Sequence, residues 1–179
     1  MRNTGAEQLK SLKYLLKHPP KWVDRIRLES ACVNVWLCPV KPKSWRIIKN
    51  TKVYGAPRHA SKIMSQVKPN DLLVFHVLKP INGIVAVCRV TSRVYEDRKD
   101  IWGKDRYPLR VKIEFIQSLL IDESTPIPIS HFFGETTHNE FKIEPYLKNV
   151  WITKLTKEQY DKVANAFRKA EKKKHVKIE

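Results

Sequence analysis

The chain has 179 residues and a mass of 21.0 kDa, enough for one domain with a real hydrophobic core and too little for two full ones. Its 35 Lys and Arg against 18 Asp and Glu give a formal charge of +17 and a pI near 9.9, a field that draws polyanions and makes nucleic acid the first partner to consider. The scattered Cys32, Cys38 and Cys88 exclude a disulfide framework or a Cys-x-x-Cys metal knuckle, and no apolar run approaches the ~18 residues of a membrane span.

Residues 6–17 place Leu9, Leu12 and Leu16 at helical spacing before Pro19-Pro20, and a second short helix is expected over 21–29. Lys10, Lys13 and Lys17 break up the leucines, so this is no signal-peptide core and a cytoplasmic location is expected. From residue 33 the pattern changes. VNVWLCPV reads as a buried strand with Trp36 in the core, PKSWRIIKN as a turn or two of helix, TKVYGAP as a loop and RHASKIMSQV as a further helix. After the turn KPND, DLLVFHVL and GIVAVCRVT are continuous apolar runs, expected to be buried on both faces.

YPLRVKIEFI alternates, with Leu109, Val111, Ile113 and Phe115 facing in and Arg110, Lys112 and Glu114 facing out. The stretch 121–141 reads as loop and NVWITKL as a last strand. Thr156 and Gln159 then have capping-box spacing at the start of a helix striped by Tyr160, Val163 and Phe167. The Lys-rich end reads as a charged tail or linker. The sum is an α+β chain: five or six short strands with interspersed helices, which a small barrel accommodates because closure disposes of exposed sheet edges.

Nothing has the spacing of a known catalytic or metal motif, and His59, His76, His131 and His138 are dispersed. Neither a cofactor nor a metal is expected, and the chain is not expected to be an enzyme. Were it one, Lys41 and His76 are the residues to suspect. The more telling feature is aromatic residues interleaved with basic ones. Trp36, Trp45, Tyr54, Trp102 and Tyr107 fall at strand ends and loops, among Lys41, Lys43, Arg46, Lys49, Lys52, Arg58 and Lys62. Aromatic faces stack on bases for ~1–3 kcal/mol each while cations hold the backbone.

Several segments resemble the EVE domain, a PUA-like family related to YTH and ASCH domains. Trp45 stands in the short helix after the first strand, Val53-Tyr54-Gly55-Ala56-Pro57-Arg58-His59 resembles the family's V-W-G-V-P-x-x-H one position shorter, with Tyr54 for its Trp and Ala56 for its second Val, and Val67-Lys68-Pro69-Asn70-Asp71 resembles its K-P-G-D turn with Asn70 for the Gly. GIVAVCRVTSRVYED and YPLRVKIEFI are similar to the next two family segments. The resemblance implies a PUA-like small β-barrel flanked by helices over 32–170; the N-terminal helical extension expected over 1–31 and the charged tail expected over 171–179 have no counterpart in the family.

It also implies a pocket for one flipped or unpaired, modified base. By position its residues are Val40, Lys41, Trp45, Tyr54, Gly55 and Trp102, with Tyr54 in place of the family's stacking Trp. Phosphates are then expected on Lys43, Arg46, Lys49, Lys52, Arg58, His59, Lys62, Lys104 and Arg106. The implied partner is nucleic acid, DNA ahead of RNA. Two settings follow from the resemblance: the targeting domain of a modification-dependent restriction system, beside a fused or associated nucleotide-hydrolysing motor, or a stand-alone RNA-binding protein.

Overall fold

The computed structural model describes residues 33–103, 107–120, 123–129 and 151–176. The expected N-terminal helices, Lys104, Arg106, His131 and His138 lie outside these residues. The described elements are strand β1 (Val35–Val40), helix α1 (Pro42–Thr51), strand β2 (Val53–Ala56), a 3-10 turn (Arg58–Ala60) and helix α2 (Ser61–Met64). Strands β3 (Leu72–Val77), β4 (Gly83–Val90), β5 (Tyr95–Glu96), β6 (Leu109–Leu120) and β7 (Thr153–Lys154) follow, and helix α3 spans Lys157–Val176.

The strands form one sheet in the order β2-β6-β4-β3-β1-β7, with β5 also paired to β6. Among the described strands only β1 and β3 run parallel, with Val35 opposite Leu72 and Val40 opposite Val77. The sheet curls into a half-barrel because β6 serves two neighbours in turn. Its first residues pair with β2, Tyr54 opposite Val111, and its continuation pairs with β4, Arg89 opposite Glu114. The architecture is α+β and PUA-like, and the two ends of the curl, β2 and β7, flank a seam.

The apolar runs behave as a doubly covered sheet requires: every residue of β1 and β3 is buried. One face supplies Trp36, Cys38, Phe75, Cys88, Val111 and Ile113 to the barrel core. Helix α1 plugs that core with Trp45 and Ile48, which sit three apart on one face. Trp45 packs 5.3 Å from Phe75 and 5.8 Å from Phe115, centroid to centroid. On the opposite face Leu37, Val74 and His76 are also buried.

Two turns hold the sheet's register. Asn70 adopts φ +74°, the left-handed conformation that Asn tolerates, and its turn delivers Asp71 into the interior. There the Asp71 carboxylate accepts from the Trp36 indole at 2.9 Å, from the Lys68 amide at 3.0 Å, and from the Asn34 amide at 3.1 Å. At the far end of the sheet, Ile84 and Ile127 exchange backbone hydrogen bonds of 2.8 and 3.0 Å. That approach needs Gly83, where a β carbon would stand 2.7 Å from Pro126.

Helix α3 opens as its sequence predicts. The Thr156 amide donates to the Gln159 side chain at 2.9 Å, and the Gln159 amide donates back to the Thr156 hydroxyl at 3.2 Å. Tyr160, Val163 and Phe167 are its buried stripe. Three expectations are corrected. TKVYGAP is not a loop, because 53–56 pair with β6 as a strand. The second internal helix is only the short turn and α2. The helix at the end continues to Val176, through most of the stretch expected as a charged tail.

Candidate nucleic-acid interface

The seam of the half-barrel holds a pocket with a cavity volume of about 50 Å³, several times the ~10–15 Å³ that one water needs. Its floor comes from the barrel: Pro39 and Val40 at the end of β1, Ile48 of α1, and Tyr54 and Gly55 of β2. Its rim comes from Lys41 and Ser44 at the start of α1 and from Leu78 after β3. Trp102, Tyr107 and Trp151 complete the lining.

These last residues form an aromatic chain. Trp102 meets Tyr107 edge to face at 5.5 Å, Tyr107 lies 5.2 Å from Trp151, and His59 continues the series 6.0 Å from Trp151. Unlike Tyr54, which is 2% exposed, all of these keep part of their surface open. Partly exposed rings held in edge-to-face and tilted contacts suit a planar, polarisable ligand better than an aliphatic one.

Tyr54 has a different role from the stacking wall expected of it. Its ring is locked against Phe75 at 5.8 Å, and its hydroxyl donates to the Trp151 carbonyl at 2.6 Å. Burial pushes its pKa well up, with the neighbouring Cys38 adding to the shift, so the hydroxyl stays a neutral donor. The bond ties β2 to Trp151, two residues before β7, across the seam.

Gly55 is needed for the opposite wall. The Trp102 indole lies so close over it that a β carbon would stand 2.7 Å from the ring edge and 2.9 Å from the Tyr107 β carbon. Helix α1 presents its N-terminus at the rim, with Pro42 in the first turn. No side chain among the described residues caps that end, and its partial positive charge favours an electron-rich edge on whatever enters.

The pocket thus gathers Val40, Lys41, Tyr54, Gly55 and Trp102 of the expected residues. Trp45 is corrected: it faces the barrel core and donates its indole N–H to Glu123 at 2.9 Å. Spacing held that signal, since Trp45 and Ile48 define the buried face of the helix. Trp151 and the wall role of Tyr107 escaped sequence reasoning; Trp151 is brought in by a contact with a residue 97 positions away, which no local pattern encodes.

Lys41 of the pocket lining is exposed, as are Lys43, Arg46, Lys52, Arg58, His59 and Lys62 of the expected phosphate contacts. They are not equivalent. Lys49 is half-buried and ion-paired with Glu123, whose carboxyl is held below its usual range chiefly by that bond. Arg58 pairs with Glu96. Lys52 donates to the Lys49 carbonyl at 2.7 Å and lies 4.2 Å from the centre of the Phe115 ring.

Acid–base chemistry has little to work with here. Lys41 lines the pocket but His76 does not; it is buried in β3, where desolvation pushes its pKa down to about 4. Among the described residues no cluster of His, Cys, Asp or Glu could hold a metal ion, and no described helix is long and apolar enough to cross a membrane.

The EVE domain family matches residues 34–166. A UPF0310 protein of Pyrococcus abyssi is 35% identical over 98 residues, covering 48% of this chain and 68% of that protein. Two solved structures share the fold. The human THYN1 protein, in complex with 5-methylcytosine-containing DNA, aligns at a TM-score of 0.50 and 16% identity, over 75% of this chain and 97% of that one. The YTH domain of the Zygosaccharomyces rouxii MRB1 protein, in complex with N6-methyladenosine RNA, aligns at 0.51 and 15%, over 76% and 87%. With the family matched from the start of β1 into α3, the chain belongs to the EVE domain family.

Proposed function

We propose that this protein is a nucleic-acid reader that takes one unpaired, modified base into the seam pocket, and that it binds without catalysing a reaction. The observation that carries the reading is the pocket itself, lined by the partly exposed Trp102, Tyr107 and Trp151, by the buried Tyr54, and by Lys41 and Ser44 at the start of α1. The surrounding lysines and arginines supply the phosphate attraction that a +17 chain implies. Structural relatives bound to 5-methylcytosine DNA and N6-methyladenosine RNA support a base, rather than a free small molecule, as the occupant. A modified base is also the easier one to extract where the modification weakens pairing.

Gel-shift titration with matched DNA and RNA strands, each with and without methylated cytosine or adenine, tests the reading. A modified strand is expected to bind at least ten-fold more tightly than its parent, and Trp102→Ala to erase that preference. Equal affinity for every modified strand and its parent sinks it. Our reading puts DNA ahead of RNA, and tighter binding to the modified RNA strand reverses that order while leaving the pocket in place.

A further inference from the structure

Alternation along β6 assigns Arg110 to the solvent face beside Lys112 and Glu114, yet Arg110 is only 3% exposed. A buried guanidinium persists only where its donors are met. Here Nη1 donates to the Asp97 carboxylate at 2.6 Å, Nε to the Tyr107 carbonyl at 3.1 Å, and Nη2 to the Lys99 carbonyl. Every one of these acceptors belongs to the segment between β5 and β6. That same segment carries Trp102, and the guanidinium carbon stands 5.2 Å from the Trp102 ring centre.

The backbone of Arg110 is equally constrained. It lies in register with Gly55 of β2 on one side and Tyr95 of β5 on the other. The guanidinium therefore ties both flanks of the Trp102 loop, at Asp97 and Lys99 before the indole and Tyr107 after it, to the strand next to Gly55. A planar fork can reach acceptors in several directions at once, whereas a lysine offers one point charge.

We infer that Arg110 is a positioning residue that holds Trp102 over Gly55 in the free protein, so that the aromatic wall is in place before a ligand arrives. Its consequence for affinity rests on the base-pocket reading; the clamp itself does not. Where only a fraction of molecules hold a competent wall, apparent affinity falls by that fraction.

The test uses the full chain and the variants Arg110→Lys and Asp97→Asn, the second leaving the buried cation with its backbone acceptors so that folding is spared. Circular dichroism and melting establish that each variant is folded. Trypsin cleavage after Arg98 and Lys99, and the Trp102 indole signal assigned with Trp102→Phe, report the loop without any ligand. Both variants are expected to speed cleavage at least five-fold, to shift or broaden the Trp102 signal, and to weaken binding of a methylated strand by a similar factor.

Folded variants with wild-type cleavage and an unmoved indole signal overturn the clamp. A loosened loop in a protein that shows no preference for a modified base supports the clamp and removes the pocket reading instead.

Discussion

The Trp102 ring edge lies so close to Gly55 that no side chain fits between them: an added β carbon would meet the indole at 2.7 Å and the Tyr107 β carbon at 2.9 Å. The indole edge can swing away, but the Tyr107 β carbon is fixed to its backbone. Gly55→Ala is therefore expected to cost about 1–3 kcal/mol of stability through overpacking and to push Trp102 off its seat. Urea unfolding measures the first effect. Strand titration measures the second, with modified-base preference expected to fall at least ten-fold; an unchanged preference would show that the wall need not sit on Gly55.

Tyr54→Phe removes only the hydroxyl that donates to the Trp151 carbonyl. The expected stability loss is about 1 kcal/mol, the usual net worth of such a bond. Because the bond anchors a pocket wall, modified-base affinity is expected to drop by more than stability does, with the salt dependence of binding unchanged. A loss of stability with full binding would reduce Tyr54 to a core residue.

His76 links stability to pH. Neither of its ring nitrogens has a hydrogen-bond partner among the described residues, and desolvation lowers its pKa from 6.5 to about 4. Between those values the unfolded chain takes up a proton that the folded chain refuses, so stability falls as pH drops from about 6.5 to about 4, by up to about 3 kcal/mol. The Glu123 contribution has the same sign but begins only below the ordinary carboxyl value of 4.5. Chemical denaturation from pH 7.5 to 4.5 should show the loss in the parent and little of it in His76→Leu; parallel curves would contradict it.

Asp71 gathers donors from the Trp36 indole and from the Asn34 and Lys68 amides while only 4% exposed. Asp71→Ala strands these donors and is expected to cost about 3 kcal/mol or more. Asp71→Asn keeps the shape but turns an acceptor into a donor at one position, and should fall between the two. Denaturant midpoints with a constant slope would establish the ranking.

Lys62 and Arg58 are both exposed but differ in how much charge they can offer. Arg58 is paired with Glu96, whereas no acidic group is paired with Lys62 in the ion pairs of the described residues. Lys62→Ala is expected to reduce the slope of log K against log salt by about 0.9 if that lysine meets one phosphate of duplex DNA. Arg58→Ala should reduce it by less, since Glu96 already offsets the charge. Equal reductions would mean that the Glu96 pair opens on binding.

Much of this architecture was legible in the chain. Double-faced apolar runs gave β3 and β4, the Thr156–Gln159 spacing gave the start of α3, and alternation gave the facing of Val111, Ile113, Lys112 and Glu114. Arg110 broke that alternation, because the loop after β5 covers a face that β6 by itself would expose. Strand β2 was missed for a related reason. Four residues ending in Gly-Ala before Pro57 have too little period to read, and their strand character comes from a partner more than fifty positions away. The pocket was half visible: Tyr54 and Gly55 stood out locally, while Trp151 belongs to it only through tertiary contact.

The Tyr54–Trp151 bond closes the seam between the two ends of the sheet, and those ends are far apart in the order of synthesis. Everything else that lines the pocket has been made by the time Tyr107 leaves the ribosome, but the last wall follows more than forty residues later. A chain interrupted before Trp151 carries the cationic surface without a finished pocket, and would hold nucleic acid by charge with no base selectivity. On the base-pocket reading, selectivity would be acquired only after Trp151 has been made, once the Tyr54–Trp151 bond can fasten the curl.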